Sequence, residues 1–193
     1  GGQTLIERHL SALGAAGFKE IIVNVSHLGS LIEQHINEKQ FPSLCVTFSR
    51  EPNLPLETGG GILQALSLLG GDPFLIVNAD IWTDHPFTVG YPKNRALAHL
   101  VLVPNPPDNP AGDFSLNGSC VERRAPNPYT YAGIGVYTPE IFKGITKKRF
   151  PLAPLLFDWA REGRISGEVH EGAWFDVGTP ERLKEARDSV ARS

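Results

Sequence analysis

Residues 74–80, Phe-Leu-Ile-Val-Asn-Ala-Asp, constrain the fold more than any other stretch of this chain. An unbroken run of large apolar residues suits a parallel strand covered on both faces better than a strand with one face in water. The run then turns polar and ends on Asp80. Ligands of open α/β sheets collect at the carboxyl ends of such strands. Asp80 is therefore expected on a rigid element where substrates bind, the place for a metal ligand or a catalytic acid or base.

The segments around this strand alternate between two periods. Leu5, Ile6, His9, Leu10 and Leu13 recur at helical spacing, with Gly17 as a C-terminal stop. Glu20 to Val25 reads as a buried strand, Leu28 to Ile36 as an amphipathic helix and Cys45 to Ser49 as a short strand. A Pro-rich loop from Glu51 to Glu57 leads into Thr58 and three glycines, followed by a helix from Ile62 to Leu69. This rhythm predicts an α/β fold with a doubly wound, mostly parallel sheet and right-handed crossovers. Beyond Asp80 the pattern loosens. Strands are expected at Leu97 to Val103 and Tyr129 to Tyr137, with a polar Pro-dense loop at Pro104 to Pro110. Asn117-Gly118 marks a hairpin between Asp113–Leu116 and Ser119–Glu122. A helix at Leu152 to Arg161, short strands at Ile165 to His170 and Trp174 to Val177, and a helix from Pro180 complete the reading. The second half decorates the first, without an internal repeat.

A length of 193 residues fits one domain with a sizeable core. A net charge of −3 argues against a general nucleic-acid binder, which would be basic. Cys45 and Cys120 lie far apart without metal-ligand spacing, which favours a reduced chain over a disulfide scaffold. No apolar run reaches the roughly 18 residues of a membrane span and no signal peptide is visible, so a cytoplasmic, membrane-free protein is expected. The chain opens Gly1-Gly2, contains no Met and enters a helix almost at once. It is read as a single domain over 1–193 whose N-terminus is incomplete.

Two further segments could carry chemistry. Glu57-Thr58-Gly59-Gly60-Gly61 leads into a helix N-terminus, where glycines allow backbone N–H groups to approach a ligand and the helix dipole favours an anion. A flexible turn is the plain alternative. The run is neither a P-loop nor a Gly-x-Gly-x-x-Gly fingerprint. Trp174-Phe175-Asp176-Val177-Gly178-Thr179-Pro180 places a second carboxylate at the end of an apolar strand, and a helix-start acid or buried turn Asp is the plain alternative. Two strand-end carboxylates suit Mg²⁺, which takes one or two carboxylates and completes its shell with water and phosphate oxygens. The six His residues are scattered, without a zinc motif, and no nucleophilic Ser elbow is present.

Taken in order, these segments resemble the sugar-1-phosphate nucleotidyltransferases over essentially the whole chain. Gln3-Thr4-Leu5-Ile6-Glu7 looks like the end of that family's signature region. Pro55 to Gly60 looks like its nucleobase-binding turn, Val77-Asn78-Ala79-Asp80 like its metal-binding strand end, and Trp174 to Pro180 like its second metal-binding turn. The triple glycine, the compact length and Leu152-Ala153-Pro154-Leu155-Leu156 look most like the N-acetylmuramate-1-phosphate uridylyltransferase branch, which serves peptidoglycan recycling. Mannose-1-phosphate guanylyltransferases and glucose-1-phosphate thymidylyl- or uridylyltransferases are the alternatives.

The resemblance implies a Rossmann-like, three-layer αβα fold of the nucleotide-diphospho-sugar transferase type. It implies transfer of a nucleoside monophosphate from a triphosphate to a sugar 1-phosphate, in a monomer or small homo-oligomer. Asp80 and Asp176 are the implied catalytic pair and the ligands of Mg²⁺. Glu57, Thr58, Gly59 and Gly60 are implied to bind the nucleotide, and Asn78, Asn105, Gly112, Asp113 and Gly133 the sugar. Two departures stand out. The family's Gly-rich, basic phosphate loop is expected upstream of Gly1. Glu122-Arg123-Arg124-Ala125-Pro126 replaces a Glu-Lys-Pro, so no phosphate-binding Lys carries over. Two other classes remain: a binding module that keeps the pocket without chemistry, and a metal-dependent glycosyltransferase, against which Asn78 breaks the Asp-x-Asp pattern.

Overall fold

The computed structural model describes residues 2–52, 54–92 and 95–190. Five helices are described: α1 (Leu5–Ala15), α2 (Gly29–Lys39), α3 (Glu57–Leu69), α4 (Leu152–Arg161) and α5 (Pro180–Val190). The strands are β1 (Glu20–Val25), β2 (Cys45–Arg50), β3 (Phe74–Val77), β4 (Ile81–Thr83), β5 (Ala98–Pro104), β6 (Ser115–Asn117), β7 (Cys120–Glu122), β8 (Tyr129–Tyr137), β9 (Ile165–Val169) and β10 (Trp174–Asp176).

The main sheet has the order β3-β8-β5-β9-β7-β6, while β1-β2 forms a separate parallel pair and β4-β10 a separate antiparallel ribbon. The six-stranded sheet is mixed. Strand β8 runs antiparallel to both β3 and β5, whereas β5 and β9 are parallel. The sheet is therefore less parallel than the βαβ rhythm suggests, because β8 inserts between two strands that share a direction. Among the described residues β3 is an edge strand, and Leu75 to Val77 are half-buried. Burial on both faces belongs instead to β5, where residues 98–103 are all buried.

Alternation along β5 feeds two cores. Ala98, Leu100 and Leu102 pack with Ile62 of α3, Leu152 and Leu156 of α4, Phe114, Val121 and Ile165. Val101 and Val103 face the other way, against Ile81, Phe87, Ala132 and Ile134, with Ala12 and Leu13 of α1 and Ala16 just past its end closing that side. Helices thus cover both sheet faces, which gives the three-layer arrangement.

Helix α1 starts at a capping box: Thr4 Oγ1 accepts from Glu7 N at 3.3 Å, and Thr4 N donates to Glu7 Oε2 at 2.7 Å. It stops where Gly17 adopts φ +98. Helix α3 begins earlier than expected, at Glu57, so the three glycines lie inside its first turns. The hairpin forms as expected with its turn shifted by one residue, since Asn117 pairs with Cys120 and the loop is Gly118-Ser119.

Candidate active site

The short β4–β10 ribbon builds the centre of the site. Asp176 lies opposite Ile81, Phe175 opposite Trp82 and Trp174 opposite Thr83. One step beyond, Val177 N donates to Asp80 O at 2.8 Å. This register brings together the ends of two segments far apart in sequence. The rim between them is Gly178, at which a Cβ would lie 3.1 Å from Asp176 Oδ1 and 3.5 Å from Asp80 Oδ2. Asp176 Oδ1 also accepts from Gly178 N at 2.9 Å, which orients the carboxylate. Trp174 anchors the ribbon by donating its indole N–H to Ala132 O at 2.9 Å.

The other oxygen of Asp176 meets Arg182, with Oδ2 3.0 Å from Nη1, while Arg182 Nη2 lies 2.6 Å from Asp108 Oδ2. Neither Arg182 nor Asp108 stood out in the sequence, since an Arg in the first turn of an exposed helix reads as a solvated side chain. Gly178 was visible only as part of a turn. Among the described residues no cluster of three or more His, Cys, Asp and Glu could hold a metal. A pair of hard carboxylate oxygens fits a cation that takes its remaining ligands from water and phosphate, as Mg²⁺ does, and does not fit an all-protein cage.

Beside Asp80, Asn78 N donates to Gly133 O at 2.8 Å. Gly133 has φ +75, and a Cβ there would come within 2.9 Å of the Asn78 side chain. What this glycine admits is therefore Asn78 itself. The sugar-side candidates form a polar lattice next to it. Asn105 Nδ2 donates to Asn127 O at 2.7 Å, and its Oδ1 accepts from Thr130 Oγ1 at 3.0 Å. Asn109 Nδ2 donates to Thr130 Oγ1 at 3.0 Å. Asp113 Oδ2 accepts from Tyr131 N at 2.9 Å. Asn105 and Asp113 thus shape the Pro104–Pro110 loop, and Gly112, at φ +62, lets that loop close onto Asn105 and Asn127.

The glycine helix differs from its expected use. A Cβ at Gly59 would enter the Phe150 ring, and one at Gly60 would strike the Lys148 carbonyl. Gly60 N donates to Phe150 O at 3.2 Å, so it offers no free donor to a ligand. A Cβ at Gly61 would lie 2.5 Å from Asn24 Nδ2. The three glycines let α3 lie flush on neighbouring chain, and only the start of the helix, at Glu57 and Thr58, is left to face a ligand. Glu57 has φ +63 and its carboxylate is 3.1 Å from Arg149 Nε.

At the far end of β4 a cavity of about 380 Å³ lies between α1 and residues 83–88, lined by Arg8, His9 and His85 among others. Burial holds both His9 and His85 below the usual imidazole range, so both are neutral at physiological pH.

The sequence model of the nucleotidyl transferase family matches residues 1–193, and the chain belongs to that family. It is 46% identical over 195 residues to N-acetylmuramate alpha-1-phosphate uridylyltransferase of Neisseria meningitidis serogroup B, covering 96% of this chain and 84% of the relative. It is 30% identical to the protein of the same name from Caulobacter vibrioides, over 100% of this chain and 86% of the relative. Solved structures share the fold at lower identity. HddC from Yersinia pseudotuberculosis complexed with GMP-PN superposes with a TM-score of 0.77 at 19% identity, over 98% of this chain and 86% of that one. UDP-glucose pyrophosphorylase complexed with UDP-glucose gives 0.73 at 19% identity, over 97% of this chain and 86% of that one. No helix among the described residues is long and apolar enough to cross a membrane.

Proposed function

We propose that this chain transfers the uridylyl group of UTP to N-acetylmuramic acid 1-phosphate, giving a UDP-sugar and pyrophosphate. The observation that carries the reading is the meeting of Asp80 and Asp176 around Gly178, in a chain 46% and 30% identical to two proteins named for this activity. The proposed setting is cytoplasmic peptidoglycan recycling.

In the reaction an oxygen of the sugar phosphate forms a bond to the α-phosphorus. The bond from that phosphorus to the bridging oxygen breaks, and pyrophosphate leaves with the electron pair. The nucleophile is already anionic, so no side chain needs to remove a proton. Catalysis then rests on positioning and on neutralising charge. Asp80 and Asp176 would hold Mg²⁺, which when bound supplies a Lewis-acid charge beside the reacting phosphates. Gly178 N–H keeps Asp176 turned toward Asp80. Glu57 and Thr58, at the N-terminus of α3, would receive the nucleotide, where the helix dipole favours anions. Asn78, Asn105, Gly112, Asp113 and Gly133 would form the sugar side.

The test is a pyrophosphate-release screen with Mg²⁺, crossing UTP, dTTP and GTP with the 1-phosphates of N-acetylmuramic acid, glucosamine, glucose and mannose. UTP with N-acetylmuramic acid 1-phosphate is expected to be fastest. Fastest turnover with GTP and mannose 1-phosphate would reassign the substrates, and no release from any pair would refute the transferase reading.

A further inference from the structure

Resting on that transferase reading, we propose that Arg182 is the side chain that grips the phosphate of the sugar 1-phosphate. Two anions must approach each other in this reaction, so the acceptor phosphate needs a positive partner of its own. Two other arginines, Arg123 and Arg149, are engaged elsewhere. Arg123 Nη1 donates to Asp113 O at 2.7 Å, and its guanidinium lies 3.6 Å from the centroid of the Phe157 ring. Arg149 pairs with Glu57 at the start of α3, on the nucleotide side.

Arg182 stands apart by what it spans. One nitrogen is on Asp176 Oδ2, at the metal-binding turn, and the other is on Asp108 Oδ2, in the loop that Asn105 and Asn109 tie into the sugar side. Asp176 gives its Oδ1 to Gly178 N–H on the rim shared with Asp80, and Arg182 takes the other oxygen, on the flank of the Asp108 loop. An acceptor joined to its sugar on one side and reacting beside Asp176 on the other must place its phosphate in that interval. The planar guanidinium fork matches a phosphate's paired oxygens. The Asp108 carboxylate holds the fork where a phosphate oxygen would replace it. That exchange is easy, since Arg182 is 37% and Asp108 41% exposed and an exposed ion pair contributes little. The backbone of Arg182 is fixed meanwhile, because its N–H donates to Thr179 Oγ1 at 3.3 Å on the first turn of α5.

The experiment compares full-chain wild type with Arg182→Gln, Arg182→Lys and Asp108→Asn, using UTP and N-acetylmuramic acid 1-phosphate, with melting temperature measured for each. Arg182→Gln is expected to raise the KM for the sugar phosphate about 10- to 100-fold, the factor for losing one charge-assisted contact, while the KM for UTP moves less than about twofold. Arg182→Lys recovers part of the loss, and Asp108→Asn, by removing the competing carboxylate, lowers the KM for the sugar phosphate. An Arg182→Gln enzyme with an unchanged KM for the sugar phosphate overturns the proposal. So does a parallel drop of kcat and melting temperature in Arg182→Gln and Asp108→Asn without a KM effect, which marks a structural latch. Wild-type protein inactive on every sugar 1-phosphate overturns this proposal and the transferase reading together, whereas an active wild type with a silent Arg182→Gln overturns this proposal alone.

Discussion

Asp80 and Asp176 face a shared rim at Gly178 because the β4–β10 register sets Asp176 opposite Ile81 and returns Val177 N–H to Asp80 O at 2.8 Å. Neither carboxylate lies in a long strand. Asp176 ends the three-residue β10, and Asp80 lies in the turn between β3 and β4, three residues past the end of β3 at Val77. Their relative position is held by backbone pairing and by the anchored indole of Trp174, so changing one carboxylate leaves the frame intact.

Asp80→Asn and Asp176→Asn are therefore expected to keep the fold and lower kcat by about 10²–10³-fold or more, the cost of losing one preorganised electrostatic contact to a transition state. Circular dichroism and melting should stay close to wild type, and calorimetry should show weakened Mg²⁺ binding. Near-normal turnover in either variant would remove that residue from the site.

Gly178→Ala tests the rim directly. Its Cβ would meet Asp176 Oδ1 at 3.1 Å, tighter than an ordinary contact, and Asp80 Oδ2 at 3.5 Å. The carboxylates must shift by a few tenths of an ångström, and small misplacements in a reacting geometry are costly, so kcat is expected to fall about 10-fold. Raising Mg²⁺ should recover part of this. An enzyme indifferent to the methyl group would mean that the space beside Gly178 is not where the two carboxylates act.

The glycines of α3 make a prediction about stability. Ala at Gly59 must displace the Phe150 ring, and Ala at Gly60 must displace the Lys148 carbonyl. Overpacking of this kind costs about 1–3 kcal/mol, with the larger loss expected at Gly60, where the nearest clash is a backbone carbonyl rather than a ring that can turn aside. Gly71→Ala is the control, since nothing lies within 4 Å of a Cβ there. Urea denaturation of the three variants checks the order. Equal stability of all three would contradict the close packing of α3 on residues 148–150.

Local pattern read through to structure wherever one segment carried its own signal. The apolar runs at 20–25, 74–77 and 97–103, the helical spacing of α1 and the Asn117-Gly118 hairpin all appear within a residue of where their residues point. Thr4-Leu5-Ile6-Glu7 also spells a capping box that the chain forms, a signal as plain as the helix itself. Non-local pairing was not legible. Nothing in Tyr129 to Tyr137 says that it will slot antiparallel between β3 and β5, and Ile81-Trp82-Thr83 is too short to announce a strand before β10 pairs with it. The glycines misled for a related reason, because the groups that crowd them, Phe150 and Lys148, come from distant sequence. Asp80 and Asp176 were readable as strand-end acids, but their meeting, and Arg182 beside them, depend on a register that only the folded chain supplies.

The buried imidazoles predict how stability follows pH. His9 is 5% and His85 7% exposed, and burial lowers the pKa of each. His85 Nδ1 accepts from Phe87 N at 3.0 Å, a bond that needs this nitrogen unprotonated. In the unfolded chain both titrate near the ordinary value of 6.5. Between that value and the lower folded values the unfolded state binds more protons, so stability is full above about pH 6.5 and is lost as pH falls, by up to ~1.4 kcal/mol per pH unit for each group. Glu7 adds a second loss at lower pH. The backbone N–H of Thr4 and the ammonium of Lys39 hold its carboxyl below the ordinary 4.5, so its contribution disappears only as pH drops beneath that. Denaturation midpoints are thus expected to decline as pH falls below about 6.5 through the histidines and to decline again below about pH 4.5 through Glu7. His85→Asn, whose side-chain oxygen can still accept from Phe87 N, should flatten the first decline, and His9→Gln should do the same independently. If both single variants and the double variant keep the wild-type slope just below pH 6.5, protonation elsewhere controls that limb.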